Sequence, residues 1–327
     1  MTTLLEIREK IKLFYAKYDI YVMPLLKFLL ALTTFLMINQ NVGFMSRLKN
    51  PAIVLMMALL CSILPVNLIV ILGGLMIMAH AYALSLEIFA ISAILILIMF
   101  LLYFRMTPQY GYLLVAAPLA FVFKVPYVLP LVMGLTAGPL TAIPVACGTV
   151  VYYLLHYMKL NTNIISESES DTMKQKVTYL IDNVVNNKEM LLFIAAFTLT
   201  LVLVYVIRRL SMDYAWQIAI VSGAITDFMV LLIGGMMMQT SIKVLPLILG
   251  SLFSVGVAVV LQFFLFSVDY SRTEYVQFED DEYYYYVKAV PKVSIAVSDK
   301  KVKKINTQKK SHSGKRPAGH GKPEARR

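Results

Sequence analysis

Between Val22 and Tyr157 only six residues are Asp, Glu, Lys or Arg: Lys27, Arg47, Lys49, Glu87, Arg105 and Lys124. A membrane-spanning helix needs about 20 mostly apolar residues, each rising about 1.5 Å, so this stretch accommodates several crossings. Its polar and proline breaks place them. A first span is predicted at 23–41, followed by a loop at 43–50 with Arg47 and Lys49, and Pro51 stands where a helix can begin. Pro65-Val-Asn67 and Ser85-Leu-Glu87 then divide the apolar run into helices at 52–64, 66–83 and 86–104. The first of these is short, about 20 Å, so it thins the bilayer or spans incompletely.

After the loop at 105–111 come two apolar pieces, 112–123 and 126–135, joined at Lys124-Val-Pro126. Neither is long enough to cross alone. They read as a re-entrant hairpin or a broken helix leading into a span at 139–158. Irregular backbone at membrane depth survives only where protein or water satisfies it. Pro126, Pro130, Gly134 and Pro139 are therefore candidate gate positions, with simple kinking as the alternative. In the second half, apolar runs predict spans at 190–207, 215–238 and 244–268.

Polar segments flank these spans. In residues 1–20, Leu4, Ile7, Ile11, Phe14 and Tyr18 recur every three or four positions, with charged residues mostly off that face. This is an amphipathic helix, lying on the membrane surface or packed on the protein's own cytoplasmic face. Residues 159–189 are a polar connection with a second amphipathic pattern. Beyond Asp269, the runs 274–279 and 283–290 favour extended backbone around the turn-forming Asp280-Asp281-Glu282. A third short strand fits within 292–302. From Lys303 onward no apolar period remains, and the composition is that of a disordered segment.

The predicted fold is thus an all-α polytopic membrane protein with about eight transmembrane helices, some short or broken. A surface helix at 1–20 precedes membrane regions at 21–158 and 190–268, which the 159–189 segment separates. A cytoplasmic β-rich appendage at 269–302 and a disordered basic tail at 303–327 complete the chain.

Composition strengthens the membrane assignment. Apolar residues make up 59% of the chain, charged residues 15%, and the mean hydropathy is +0.72; soluble domains carry about 25% charge. The net charge of +11 suggests a polyanion partner until it is located. Residues 300–327 hold 11 basic residues and one acid, so the tail carries almost all of it. Without interleaved aromatics, base stacking is not expected. Anionic lipid headgroups are the expected partner, each basic residue contributing about 1 kcal/mol near the surface. The positive-inside rule puts Arg105, Arg208-Arg209 and the tail in the cytoplasm. Eight spans with both termini inside satisfy this, at the cost of Arg47 and Lys49 outside; a re-entrant 52–64 helix would flip the N-terminus.

Candidate chemistry is sparse. Asp227 lies deep in a predicted span, where a carboxylate costs a few kcal/mol unless it meets water, a cation or a partner. It is a candidate proton or cation site, with a structural hydrogen bond as the alternative. Lys124, between two apolar half-segments, either lines the same polar pathway or snorkels to a headgroup. Glu87 and His80 flank a turn and suit structural roles. Asn67, Gln217 and Gln262 are candidate interhelical hydrogen-bond partners. Cys61 and Cys147 lie in apolar runs, and His156 has no metal-ligand spacing with the other histidines, so neither a disulfide framework nor a metal site is expected. No nucleotide, hydrolase or metalloprotease motif is present; no cofactor and no enzymatic activity are expected. A short echo links Val128-Leu-Pro-Leu-Val-Met-Gly134 with Val244-Leu-Pro-Leu-Ile-Leu-Gly250, and a weaker one Gly73-Gly74 with Gly234-Gly235. Repeated halves with broken helices characterise many transporters, although Leu- and Met-rich segments repeat by chance.

The stretch 276–292, Val-Gln-Phe-Glu-Asp-Asp-Glu-Tyr-Tyr-Tyr-Tyr-Val-Lys-Ala-Val-Pro-Lys, following a polytopic body, resembles an uncharacterised family of multi-pass membrane proteins from Gram-positive anaerobes. Some members are labelled transporter permeases. The resemblance implies a plasma-membrane location and carries no catalytic residues. Two functions remain open: a permease-like, transport-related subunit driven by an ion gradient or a separate ATPase, and a non-transporting scaffold that recruits envelope or secretion partners through its C-terminal region.

Overall fold

The structure, a computed structural model, describes residues 2–160, 186–240, 243–265, 274–279 and 284–289. One compact unit covers Thr3–Val268; the other includes Asp269–Arg327.

The first unit is helical. Its elements are α1 (Thr2–Val42), α2 (Pro51–Ile63), α3 (Asn67–Leu84), α4 (Leu86–Met106), α5 (Gly111–Val122), α6 (Val128–Thr136), α7 (Ala142–Leu160), α8 (Lys188–Arg208), α9 (Ala215–Met238) and α10 (Val244–Leu265). The breaks follow from local chemistry. Asn50 is extended and its side chain accepts the Ala52 N–H at 3.0 Å, with Pro51 at the first helical position where a missing N–H costs nothing. A single extended residue, Ser85, separates α3 from α4. Its N–H closes on Ala81 O, and its hydroxyl accepts the Ile88 N–H while donating to Glu87. Helical geometry lapses within α1 at Tyr18, close to where the amphipathic pattern gives way to the apolar one.

Seven helices among the described residues are long and apolar enough to cross a membrane. The expected count of about eight includes one further, shorter helix. The difference is α2, whose 13 residues rise about 20 Å against a hydrocarbon core of about 30 Å. Many large apolar side chains point outward, Leu97, Leu101, Leu252 and Met237 among them. Such a surface is stable in lipid and a liability in water.

Side-chain contacts fix the direction of each helix. His80 on α3 meets Asn39 near the end of α1 and the N–H of Met45, so residues 43–50 and the end of α3 share one end of the bundle. Lys159 on α7 reaches Asn41, and Asn187, before α8, reaches Tyr157; the end of α7 and the start of α8 lie there too. At the opposite end Tyr103 bonds Asn67 and Pro108 O, and Arg208 bonds the end of α6. The buried Arg8 guanidinium donates to Phe263 O and lies 5.6 Å from its ring. The start of α1 and the end of α10 are therefore neighbours. Ile7, Ile11 and Phe14, the apolar positions of the amphipathic segment, are exposed.

α5 and α6 enter and leave from the Arg208 end, and the ring of Tyr127 at their tip lies 6.4 Å from that of Phe193, in the second turn of α8 from its far end. This is the arrangement of a re-entrant hairpin. Its arms are splayed: α5 packs on α7 and α3, α6 on α8 and α10. One core joins α1–α4 with α5 and α7, a second joins α5, α6, α7 and α8 with Leu231 of α9 and Leu247 of α10, and a third gathers α6 with α8, α9 and α10.

In the second unit, β1 (Glu274–Glu279) pairs antiparallel with β2 (Tyr284–Ala289), with Glu274 opposite Ala289 and Glu279 opposite Tyr284. The amphipathic pattern within 161–185, the third strand expected within 292–302 and the basic tail from Lys303 lie outside the described residues.

Candidate functional site

Asp227 lies midway along α9, on the face that packs antiparallel against α8. The register of this pair is set by glycines. A Cβ on Gly223 would stand 2.3 Å from Val204 Cγ2 and 2.8 Å from Leu131 Cδ2, and one on Gly234 would stand 2.3 Å from Leu192 Cδ1. Small residues let membrane helices approach closely where no solvent drives them together. Between those two contacts, Thr200 falls opposite Asp227.

Both groups are enclosed, Asp227 at 1% exposure and Thr200 at 0%. Neither Asp227 Oδ1, Asp227 Oδ2 nor Thr200 Oγ1 has a hydrogen-bond partner among the described residues. The hydroxyl faces the carboxyl without reaching hydrogen-bond geometry. Thr200 is unusual in this chain. Thr33, Thr34, Thr136, Thr149 and Thr226 each donate to the carbonyl four residues earlier, the common solution for a threonine in an apolar helix. The Thr200 hydroxyl instead remains available to α9.

The tip of the α5–α6 hairpin forms the third side. Tyr127 is buried, and its ring occupies the space a side chain at Gly250 would need, 2.3 Å from a Cβ there. The site thus lies between α8 and α9, with Leu131 of α6 2.8 Å from a Cβ at Gly223, one turn before Asp227. A carboxyl pair of oxygens with one hydroxyl opposite suits a proton or a monovalent cation. Among the described residues no cluster of three or more His, Cys, Asp or Glu offers a polyvalent metal site.

The sequence-predicted residues separate in space. Lys124 is exposed at the hairpin tip, in left-handed backbone (φ 61°), and makes no ion pair with Asp227. Pro126 is buried in the tip, Pro130 lies in the first turn of α6, and the exposed Pro139 opens a short 3-10 turn, Pro139–Thr141. Pro130 and Pro139 occupy positions where a missing N–H is harmless. Gly134 marks a close approach, since a Cβ there would lie 2.7 Å from Val204 and 3.0 Å from Leu201 O. His80 is structural: Nδ1 accepts the Met45 N–H at 3.1 Å, so Nε2–H donates to Asn39 Oδ1 at 2.9 Å. Asn67 is an interhelical partner, accepting the Tyr103 hydroxyl at 2.7 Å. Gln217 and Gln262 make no side-chain hydrogen bond among the described residues. Cys61 and Cys147 are free and buried.

Sequence reasoning missed Thr200 and Tyr127, and it read Arg208 only as a marker of the cytoplasmic side. The Arg208 guanidinium closes the end of α6, donating to Leu135 O through Nη1 and to Ala137 O through Nη2 at 2.9 Å. Its planar face lies 5.3 Å from the Tyr205 ring and 6.0 Å from that of Trp216. A cation at the negative end of a short helix is favourable, and Arg supplies two parallel donors as well.

Comparison with protein families, curated proteins and solved structures finds no match to this chain.

Proposed function

We propose that this chain is a permease-like, transport-related membrane subunit in which Asp227 binds a proton or a monovalent cation inside the bilayer. The observation that carries the reading is the enclosed Asp227 carboxyl, with no partner among the described residues, opposite an equally unpartnered Thr200. A carboxyl group buried at mid-membrane costs a few kcal/mol, and one without a partner there points to an ion that it serves. Its neighbours add support: a re-entrant hairpin ends beside it, and such broken elements line the ion and substrate sites of many transporters.

In this reading Asp227 takes up the ion, Thr200 and Tyr127 border it, and Pro126 with the hairpin tip forms the gate. Lys124 stands at the mouth rather than beside the carboxyl. Both termini face the cytoplasm, on the side of Arg105 and Arg208-Arg209. The chain itself is not an enzyme; energy comes from an ion gradient or a separate ATPase. The resemblance of residues 276–292 to multi-pass proteins labelled transporter permeases favours the same class and a plasma-membrane location.

The test is ion flux in proteoliposomes loaded with a pH-reporting dye under an imposed proton gradient, or with a sodium-reporting dye under an imposed sodium gradient. Wild-type chain is expected to dissipate one of the two gradients, and Asp227→Asn to lose that flux while remaining folded. Equal flux from both proteins, or none from wild type under either gradient, rejects the reading.

A further inference from the structure

At the Arg208 end, away from Asp227, the α8–α9 turn and the last turns of α10 border an open cavity of about 650 Å³. That volume is within the range of small-molecule sites, about 300–1,000 Å³. Its polar lining comes from Arg208, Asp213, Gln217 and Gln262, and its aromatic wall from Trp216. The Asp213 carboxylate and both Gln amides make no side-chain hydrogen bond or ion pair among the described residues, so three polar groups face this space uncommitted.

Charge and shape narrow the ligand. Nη1 and Nη2 of Arg208 each spend one N–H on the end of α6. A guanidinium carries two hydrogens on each terminal nitrogen, so a second donor remains on each, suited to a phosphate. Asp213 supplies a negative charge on the same wall. A site with one cation and one anion fits a zwitterion better than a simple anion. Its position indicates the source. Tyr205, stacked with Arg208 and Arg209, and Trp216 lie at helix ends, where aromatic and basic residues settle at headgroup level. Leu210 and Met212 add apolar wall to the same cavity, as an attached acyl chain requires.

We propose that this cavity binds a phospholipid headgroup that pairs a phosphate, held by Arg208 and the Gln amides, with an ammonium held by Asp213. The proposal is independent of ion binding at Asp227.

Trp216 is the only tryptophan in the chain, so selectively excited tryptophan emission reports on this cavity. The full-length chain in maltoside micelles is titrated with dioctanoyl phosphatidylethanolamine, dioctanoyl phosphatidylglycerol and glycerophosphoethanolamine. The ethanolamine lipid is expected to shift Trp216 emission at about fivefold lower concentration than the glycerol lipid, the size of one exposed ion pair. Asp213→Asn, at an exposed side chain without partners among the described residues, is expected to abolish that preference and leave the thermal midpoint unchanged. Glycerophosphoethanolamine as effective as the lipid keeps the headgroup chemistry and assigns a soluble ligand; a response to the lipid alone assigns the bilayer. No Trp216 response to any of the three, equal response to both lipids, or a preference that persists in Asp213→Asn overturns the proposal.

Discussion

Gly223 and Asp227 are one helical turn apart on α9, and the glycine determines how closely α8 approaches the carboxyl. Gly223→Ala places a Cβ against both Val204 and Leu131. We expect a loss of about 1–3 kcal/mol, the usual cost of overpacking, read as a lower thermal midpoint in detergent. Gly256→Ala, where nothing lies within 4 Å, should stay within about 0.5 kcal/mol of wild type. Thr200→Val tests whether the hydroxyl serves the ion or the fold. Because that hydroxyl has no hydrogen-bond partner among the described residues, its removal should change stability by less than about 1 kcal/mol while altering the ion dependence of flux. A large destabilisation with unchanged flux assigns Thr200 to packing. Asp227 itself was legible in the sequence, because one carboxylate in an apolar run stands out whatever surrounds it. Thr200 was not, since threonine is ordinary in such helices and only the register of α8 on α9 distinguishes it from the threonines that bond backward. Tyr127 was hidden for a similar reason: its role comes from Gly250, far away in sequence.

Among the elements, the α5–α6 pair was readable from two apolar pieces too short to cross and a Lys-Val-Pro junction between them. What holds α6 in place was not, because it depends on where another helix ends. α6 has nine residues, too few to be stable alone, and two of its terminal carbonyls depend on Arg208. Arg208→Met is expected to remove about 1.5–3 kcal/mol of local stability, the worth of hydrogen bonds to a charged group. Amide hydrogen exchange in 128–141 should accelerate while 52–63 stays protected. Arg208→Lys keeps the charge but not the two-pronged donor, so most of the acceleration should persist; full protection in the lysine variant assigns the effect to charge alone. The sequence echo between 128–134 and 244–250 acquires a local meaning here. Both stretches start helices, at Val128 and Val244, and α6 and α10 pack together. The Gly73-Gly74 and Gly234-Gly235 echo is displaced along the chain by a different length, so no single shift superposes both pairs. A shared helix-start pattern accounts for the stronger echo without a duplicated half.

For the molecule as a whole, the path of the chain depends on α2. Apolar length alone separates seven long helices from this 13-residue one, and hydropathy cannot tell whether a helix that short connects the two ends. Its contacts answer in part: Ser62 donates to Pro24 O and Lys27 to Leu64 O, so α2 runs back along α1 toward the start of α3. This path leaves the 43–50 loop at one end of the bundle and the 106–111 and 209–214 turns at the other, with the start of α1 beside the end of α10. Cysteine accessibility tests it directly, because both native cysteines are buried and contribute little background. Ser46, Gln109 and Ser211 are exposed. In sealed vesicles, Ser46→Cys should react with an impermeant maleimide from one side only, and Gln109→Cys and Ser211→Cys from the other. Labelling of Ser46→Cys from the same side as Ser211→Cys is incompatible with α2 reaching the far end. Labelling of the Ser211→Cys variant from the cytoplasmic face fixes the absolute orientation in the sense that Arg105 and Arg208-Arg209 demand.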